Sequence, residues 1–254
     1  MAAGRMVTTL VVAGALALAG CGGGGSGDDS EAAGRDRPDR DVPETTTTSA
    51  AAPAATGSMV ASARGAQVEV FAEPVEGEPT ATLDSPNENG APLVFLVEQD
   101  QGAWLQVLLP IRPNGSTGWI RSADVTVARN PYTIDIALAE HRLVVRNGDA
   151  VVVDTPIGVG TASTPTPGGK YYIKELLQPP DPGGAYGPYA YGLSGYSNVL
   201  DDFNGGDGVI GIHGTNEPEA IGSDVSHGCI RVDNATITQM AGMLPLGTPV
   251  HISA

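Results

Sequence analysis

The stretch Ile212–Val232, IHGTNEPEAIGSDVSHGCIRV, holds two of the four histidines and one of the two cysteines of a 254-residue chain. Two serines, two glutamates, Asp224 and Arg231 stand around them. Such a density of reactive side chains admits three readings: a metal site, a nucleophile with its base, or a polar loop. As a metal site it would draw on His213, His227 and Cys229, with Asp224 or Glu217 completing the set. The run contains neither a second cysteine nor an H-E-x-x-H pair, so the metal reading is the weaker one and no metal is expected.

A nucleophile asks for less. A thiol attacks as thiolate, so it needs a neighbouring imidazole to take its proton and a third group to orient that imidazole. Small neighbours must let a carbonyl approach, and Gly228 beside Cys229 meets that demand. The backbone N–H groups of 228 and 229 are candidates for an oxyanion hole. Two histidines compete for the base. His227 is two residues from Cys229, and His213 is sixteen residues upstream at the end of the apolar run VIGI. Spacing alone leaves that choice open.

The composition sets the frame around this stretch. Apolar residues make up 41% of the chain, enough for a core, while aromatics are 5%, with 35 Gly and 20 Pro. That balance favours short strands and turns over long helices. A formal net charge of −16 excludes nucleic-acid binding through a basic patch.

Residues 1–21, MAAGRMVTTLVVAGALALAGC, pair a weak positive start at Arg5 with an apolar run too short to span a membrane with ease. The run closes on Leu18-Ala19-Gly20-Cys21, which resembles a bacterial lipobox. The resemblance implies lipidation at Cys21 and an extracytoplasmic chain anchored to the cell membrane. Lipidation would leave Cys229 as the sole free thiol in a compartment where disulfides are usual. Residues 22–65 are rich in Gly, Pro, Thr and Ala without an aromatic, which predicts a disordered tether. Such a chain spans roughly 35–40 Å on average.

From Gln67 short apolar runs appear: VEVF, PLVFLVE, AWLQVLLP and TGWIRSADV. Residues 66–128 read as a small β module, and the pieces Trp104–Val107 and Gly118–Ile120 resemble a bacterial SH3-like module. Its two tryptophans fit core or groove lining, and the module can be either architectural or a binding unit. The last piece, 131–253, carries all seven tyrosines. It reads as strand, strand, turn and strand, with Asn147-Gly148 as the hairpin turn because both residues tolerate positive φ. His141 falls in this region as an exposed polar residue. The Gly/Pro/Tyr-rich segment of about 179–200 reads as an ordered flap, whereas the stretch around 199–208 carries no motif. Asp233 is placed to cap one helix with Ile237, Met240, Ala241 and Leu244 on its inner face, and GTPVHIS closes as a strand.

HGTN-x-P-x-x-IG followed by SHGCIR resembles the catalytic signature of the L,D-transpeptidases, which crosslink bacterial peptidoglycan. TPTPGG at 164–169 and GTPV at 247–250 are similar to that family too, so the resemblance covers nearly all of 131–253. It implies a mostly β catalytic domain with one C-terminal helix. It further implies Cys229 as nucleophile, His213 as base and the Gly214 carbonyl as the group that orients the imidazole. His227, Gly228, Arg231 and Ser226 would line the site, with Arg231 a candidate for a substrate carboxylate unless a local salt bridge to Asp233 or Asp224 engages it. The partners implied are peptidoglycan stem peptides as donor and acceptor, with no cofactor. Water in place of the acceptor amine would make the same scaffold a hydrolase. A wall-binding protein with a vestigial site is the non-enzymatic rival.

Overall fold

Strand formation begins at Ser58. In a computed structural model of the chain, which describes residues 57–202 and 207–254, seven strands precede residue 131. They are β1 (Ser58–Ala63), β2 (Gln67–Val70), β3 (Ala81–Asp84), β4 (Val94–Asp100), β5 (Trp104–Leu108), β6 (Thr117–Arg121) and β7 (Val125–Asn130). β6-β5-β4-β1-β7 form one antiparallel sheet, and β2 pairs with β3 beside it. The tether expected as far as residue 65 is therefore too long at its end. SMVASA is short and weakly apolar, but β4 and β7 flank it on both sides and bury Val60 and Ala61. Those long-range partners are invisible in local composition. Cys21 and the tether before Gly57 lie outside the described residues.

The rest of the chain builds a larger sheet. Its elements are β8 (Tyr132–Ala137), β9 (Arg142–Asn147), β10 (Ala150–Pro156), β11 (Val159–Gly160), β12 (Gly169–Leu177), β13 (Ala190–Tyr196), β14 (Val209–His213), β15 (Asp224–Ser226), β16 (Ile230–Arg231), helix α1 (Asn234–Ala241) and β17 (Pro249–Ser253). Eight strands run in the order β10-β9-β8-β17-β12-β13-β14-β16, and β11 pairs with β15 in parallel. The architecture is mostly β with one helix, as the sequence predicts. In the β9–β10 hairpin only Gly148 takes a positive φ, 56°, because Asn147 remains the last residue of β9. The flap is also shorter than expected. Residues 190–196 are an inner strand, since Gly195 leaves room for the Tyr171 ring, which a Cβ there would approach to 2.3 Å.

Helix α1 starts where predicted. Asp233 accepts a hydrogen bond from the Thr236 N–H at 2.9 Å, and Ile237 and Met240 are buried against the sheet. His141 departs from its expected free exposure: it sits at φ 48° and bonds Asp224 at 2.8 Å.

The two sheets meet along an apolar seam. Val60, Val94, Leu96 and Leu108 pack on Tyr172, with Leu246 at the edge. Gly247 fits only because it lacks a Cβ, which would stand 2.3 Å from Val60. Polar links flank the seam. Asn130 donates to Thr248 Oγ1 at 2.9 Å, and Lys170 pairs with Glu98 at 2.8 Å. Asn114 bonds both backbone groups of Tyr196, and the Arg112 guanidinium donates to the carbonyls of Ser197, Leu200 and Asp207 at 2.8–2.9 Å.

The Tyr172 hydroxyl is fully buried in this seam with no hydrogen-bond partner among the described residues. An orphaned buried hydroxyl costs about 1–3 kcal/mol. Tyr172→Phe should therefore raise the thermal unfolding midpoint, and a lowered midpoint by calorimetry would contradict the burial described here.

Candidate active site

Residues sixteen apart in sequence become neighbours through one pairing. β14 and β16 run parallel with Ile212 opposite Ile230 and His213 opposite Arg231. Cys229 precedes β16 and so lies level with Gly211, whose N–H donates to the sulfur. The turn that delivers the thiol is held by Ser226. Its hydroxyl donates to the Cys229 carbonyl at 2.5 Å and accepts from the Gly228 N–H at 3.1 Å. The Ser226 carbonyl in turn accepts from Thr161 N and Thr164 Oγ1, both at 3.1 Å, which gives the TPTPGG segment a bracing role. Gly228 has φ 116°, a left-handed conformation that side chains rarely adopt. Its N–H is committed to Ser226. The oxyanion pair expected at 228 and 229 thus loses its Gly228 donor, which the turn consumes.

The His213 ring is fixed from the opposite side. Its Nδ1 lies 2.6 Å from the Gly214 carbonyl. A carbonyl only accepts, so Nδ1 carries the proton and Nε2 presents a lone pair when the ring is neutral. Burial is the largest influence on this ring, and it lowers the His213 pKa to about 4, helped by the Arg231 charge and opposed by the Gly214 carbonyl. Burial likewise pushes the Cys229 thiol up, while the Gly211 N–H and Arg231 pull it down. At neutral pH the resting pair is therefore a thiol and a neutral imidazole.

Asn234, the first residue of α1, ties the neighbourhood together. Its Oδ1 accepts from Thr215 N at 2.9 Å and lies within 2.3 Å of where a Cβ on either Gly214 or Gly187 would sit. Both positions require glycine for that reason. The flap, now about 178–189, thereby rests on the loop after His213, and the Tyr186 ring lies against the imidazole with centroids 4.8 Å apart.

Two cavities converge on the pair. One of about 600 Å³ is lined by Cys229, His213, Tyr186, Gly192, Gly211 and Glu175, among others. A second of about 200 Å³ is bounded by Ser226, His227, Cys229, Arg231, His213 and Tyr186. Thiol, imidazole and Tyr186 therefore stand at the junction of two approaches to one sulfur. Among the described residues no three His, Cys, Asp or Glu side chains group as metal ligands.

The sequence profile of the YkuD L,D-transpeptidase catalytic domain matches residues 131–252. The YkuD protein of Bacillus licheniformis is 34% identical over 155 residues, which cover 58% of this chain and 86% of the relative. This chain belongs to the YkuD family of L,D-transpeptidase catalytic domains. YkuD of Bacillus subtilis is 36% identical over 123 residues, 48% of this chain and 66% of its own length. Among solved structures, an L,D-transpeptidase of Enterococcus faecium aligns over 51% of this chain and 56% of its own, at 21% identity and a TM-score of 0.38.

Within this family member the structure brings together Cys229, His213, Gly214, Gly228, Ser226, His227 and Arg231. The Arg231 partner is Glu217, at 2.7 Å, rather than either aspartate weighed from sequence. Its Nε is buried without a partner among the described residues. Tyr186, Asn234 and Glu175 escape the sequence reading. Only Glu175 left a signal: a carboxylate two residues after Ile173, in step with Tyr171 on a strand face that is otherwise apolar.

Two outcomes follow for the turn and the ring. Gly228→Ala has space for its methyl, whose nearest neighbour would be 3.6 Å away, but not the φ. It should cost about 1–3 kcal/mol of stability and slow alkylation of Cys229, both measurable on the purified variant. The second concerns pH. His213 gains its proton only below about 4, so base-assisted alkylation of Cys229 should fall off near pH 4 rather than near 6.5. It should rise again only as the thiol ionises above its ordinary alkaline range. An acid limb centred near 6.5, or an unchanged profile in His213→Asn, would contradict this.

Proposed function

We propose that this protein is a peptidoglycan L,D-transpeptidase that works through a Cys229 thioester. The observation that carries the reading is a half-buried thiol at the meeting point of two cavities, beside an imidazole whose Nδ1–H is tied to a carbonyl. Two approaches to one sulfur suit a reaction with a donor and an acceptor, and the tied tautomer leaves Nε2 free to move protons.

The donor carbonyl is that of the third stem residue, a diamino acid. His213 Nε2 takes the thiol proton as the sulfur attacks, and the Cys229 N–H meets the developing oxyanion. The C–N bond to the terminal D-Ala breaks, and His213 returns the proton to that amine. An acceptor amine then attacks the thioester. His213 takes its proton, the C–S bond breaks, and the proton passes back to sulfur. Because thiol and imidazole are both neutral at rest, proton transfer accompanies attack instead of preceding it. Arg231 holds both groups toward their deprotonated forms and offers Nη1, the atom that Glu217 occupies, to a substrate carboxylate. Glu217, more than half exposed, is displaced when that happens. Gly214 orients the ring, Gly228 and Ser226 shape the turn, and His227 lines the acceptor side.

The same reading places the chain outside the cytoplasm, anchored by a lipid on Cys21, with residues 22 to about 57 as the reach toward the wall. It rests on the lipobox alone. An SH3-like role for the N-terminal sheet belongs to the proposal as well.

Incubating the full chain with a tetrapeptide donor, with and without an amine acceptor, tests the function. A crosslinked dimer formed only with the acceptor and a thioester mass on Cys229 are expected, and tripeptide alone would mean a carboxypeptidase instead. Cys229→Ala should lose turnover by about 10³-fold or more. Activity retained in that variant would remove the nucleophile from the scheme.

A further inference from the structure

The larger cavity ends in a group that the reaction above leaves unused. The Glu175 side chain, on β12, is only 4% exposed. Its Oε2 accepts from Asn87 Nδ2 at 2.8 Å and Asn89 Nδ2 at 3.0 Å, both in the loop between β3 and β4 of the N-terminal sheet. Among the described residues, no hydrogen bond reaches its Oε1. The nearest cation is Lys174 Nζ at 3.8 Å, and that ammonium also lies over the Tyr196 ring at 5.7 Å. Oε1 rests above Gly192, 2.4 Å from where a Cβ would stand, on the cavity wall. A buried carboxylate with one oxygen doubly held and the other facing a cavity, its ion-pair partner no nearer than 3.8 Å, has room for a closer, hydrogen-bonded cation.

The register says how far that oxygen is from the chemistry. Glu175 pairs with Gly192, and Gly192 pairs with Gly211, so the three form one rung across β12, β13 and β14. Gly211 is the residue whose N–H reaches the Cys229 sulfur. With strands about 4.8 Å apart, the Cα atoms at the ends of the rung are about 10 Å apart, and the glutamate leans inward over part of that distance. The two glycines leave the floor between carboxylate and sulfur without side chains. Glu88 and Asp207 also line this cavity, so three carboxylates face the single cation Lys174.

We infer that Glu175 binds the side-chain ammonium of the donor's third residue, the residue whose carbonyl Cys229 attacks. This rests on the reaction proposed above. A flexible four-carbon stem suits the span along the glycine floor, so carbonyl at the sulfur and ammonium at Oε1 fit one residue. The N-terminal sheet then acts in donor selection, since Asn87 and Asn89 hold the carboxylate in place. Glu175 is a specificity-determining residue and takes no part in bond making.

Binding can be measured apart from chemistry. In the full chain carrying Cys229→Ala, calorimetry would compare two tetrapeptides, one with lysine and one with norleucine at the third position. The lysine peptide should bind at least about tenfold more tightly, the range of one charge-assisted hydrogen bond. Adding Glu175→Gln should bring the two affinities together, which a purely structural loss would not do because it weakens both alike. Equal affinities before Glu175 is changed would overturn the inference, as would discrimination that survives its change. The first comparison decides even if the glutamine variant fails to fold. Discrimination lost with Glu175, combined with no thioester on unmodified Cys229, would keep this inference and sink the reaction.

Discussion

The parallel pairing of β14 with β16 is the constraint on which the site depends. It converts a sixteen-residue sequence separation into adjacency, with His213 across from Arg231 and the thiol level with Gly211. Strand pairing fixes backbone positions far more tightly than a surface loop can, so thiol and imidazole are located by the sheet itself. The intervening chain then only has to turn back and deliver Cys229 with its sulfur toward the cavities. Ser226 and the left-handed Gly228 perform that task, at the expense of one backbone donor.

Burial shapes the chemistry as much as geometry does. The same desolvation that lowers the imidazole raises the thiol, which moves the two proton affinities apart and disfavours a standing ion pair. Under the proposed reaction, such a site would stay quiet toward stray electrophiles and become reactive when a bound carbonyl gives the developing charge somewhere to go. Arg231 lowers both proton affinities together, favouring the neutral ring and the ionised sulfur. Tyr186 and Asn234 pack about this pocket from the flap side.

Much of this was legible beforehand, and the misses have physical causes. Period-two runs and the Asp233 cap gave the β-rich class and the lone helix. HGTN and SHGC located the residues that come together, because their chemistry is carried by unusual side chains at short range. β1 was missed because SMVASA is made a strand by two distant partners rather than by its own composition. The inner strand 190–196 was read as flap because its glycines, which make room for Glu175 and the Tyr171 ring, look from sequence like loop residues. Arg231 found Glu217, not Asp224 or Asp233, since choice among nearby carboxylates depends on a turn that spacing does not determine. Contacts between the sheets, including the hold of Asn87 and Asn89 on Glu175, join residues more than sixty positions apart and leave no local trace.

The grip of Arg112 has a corollary for how this protein can diverge. All three acceptors it grasps are main-chain oxygens, at Ser197, Leu200 and Asp207. Every amino acid supplies that oxygen, so the clasp tolerates almost any substitution in the strap it fastens while requiring one arginine on the opposite side. Side chains at these three positions can thus change without removing the acceptors that Arg112 grasps. A border fastened through main-chain oxygens by one arginine carries no side-chain signature of that attachment.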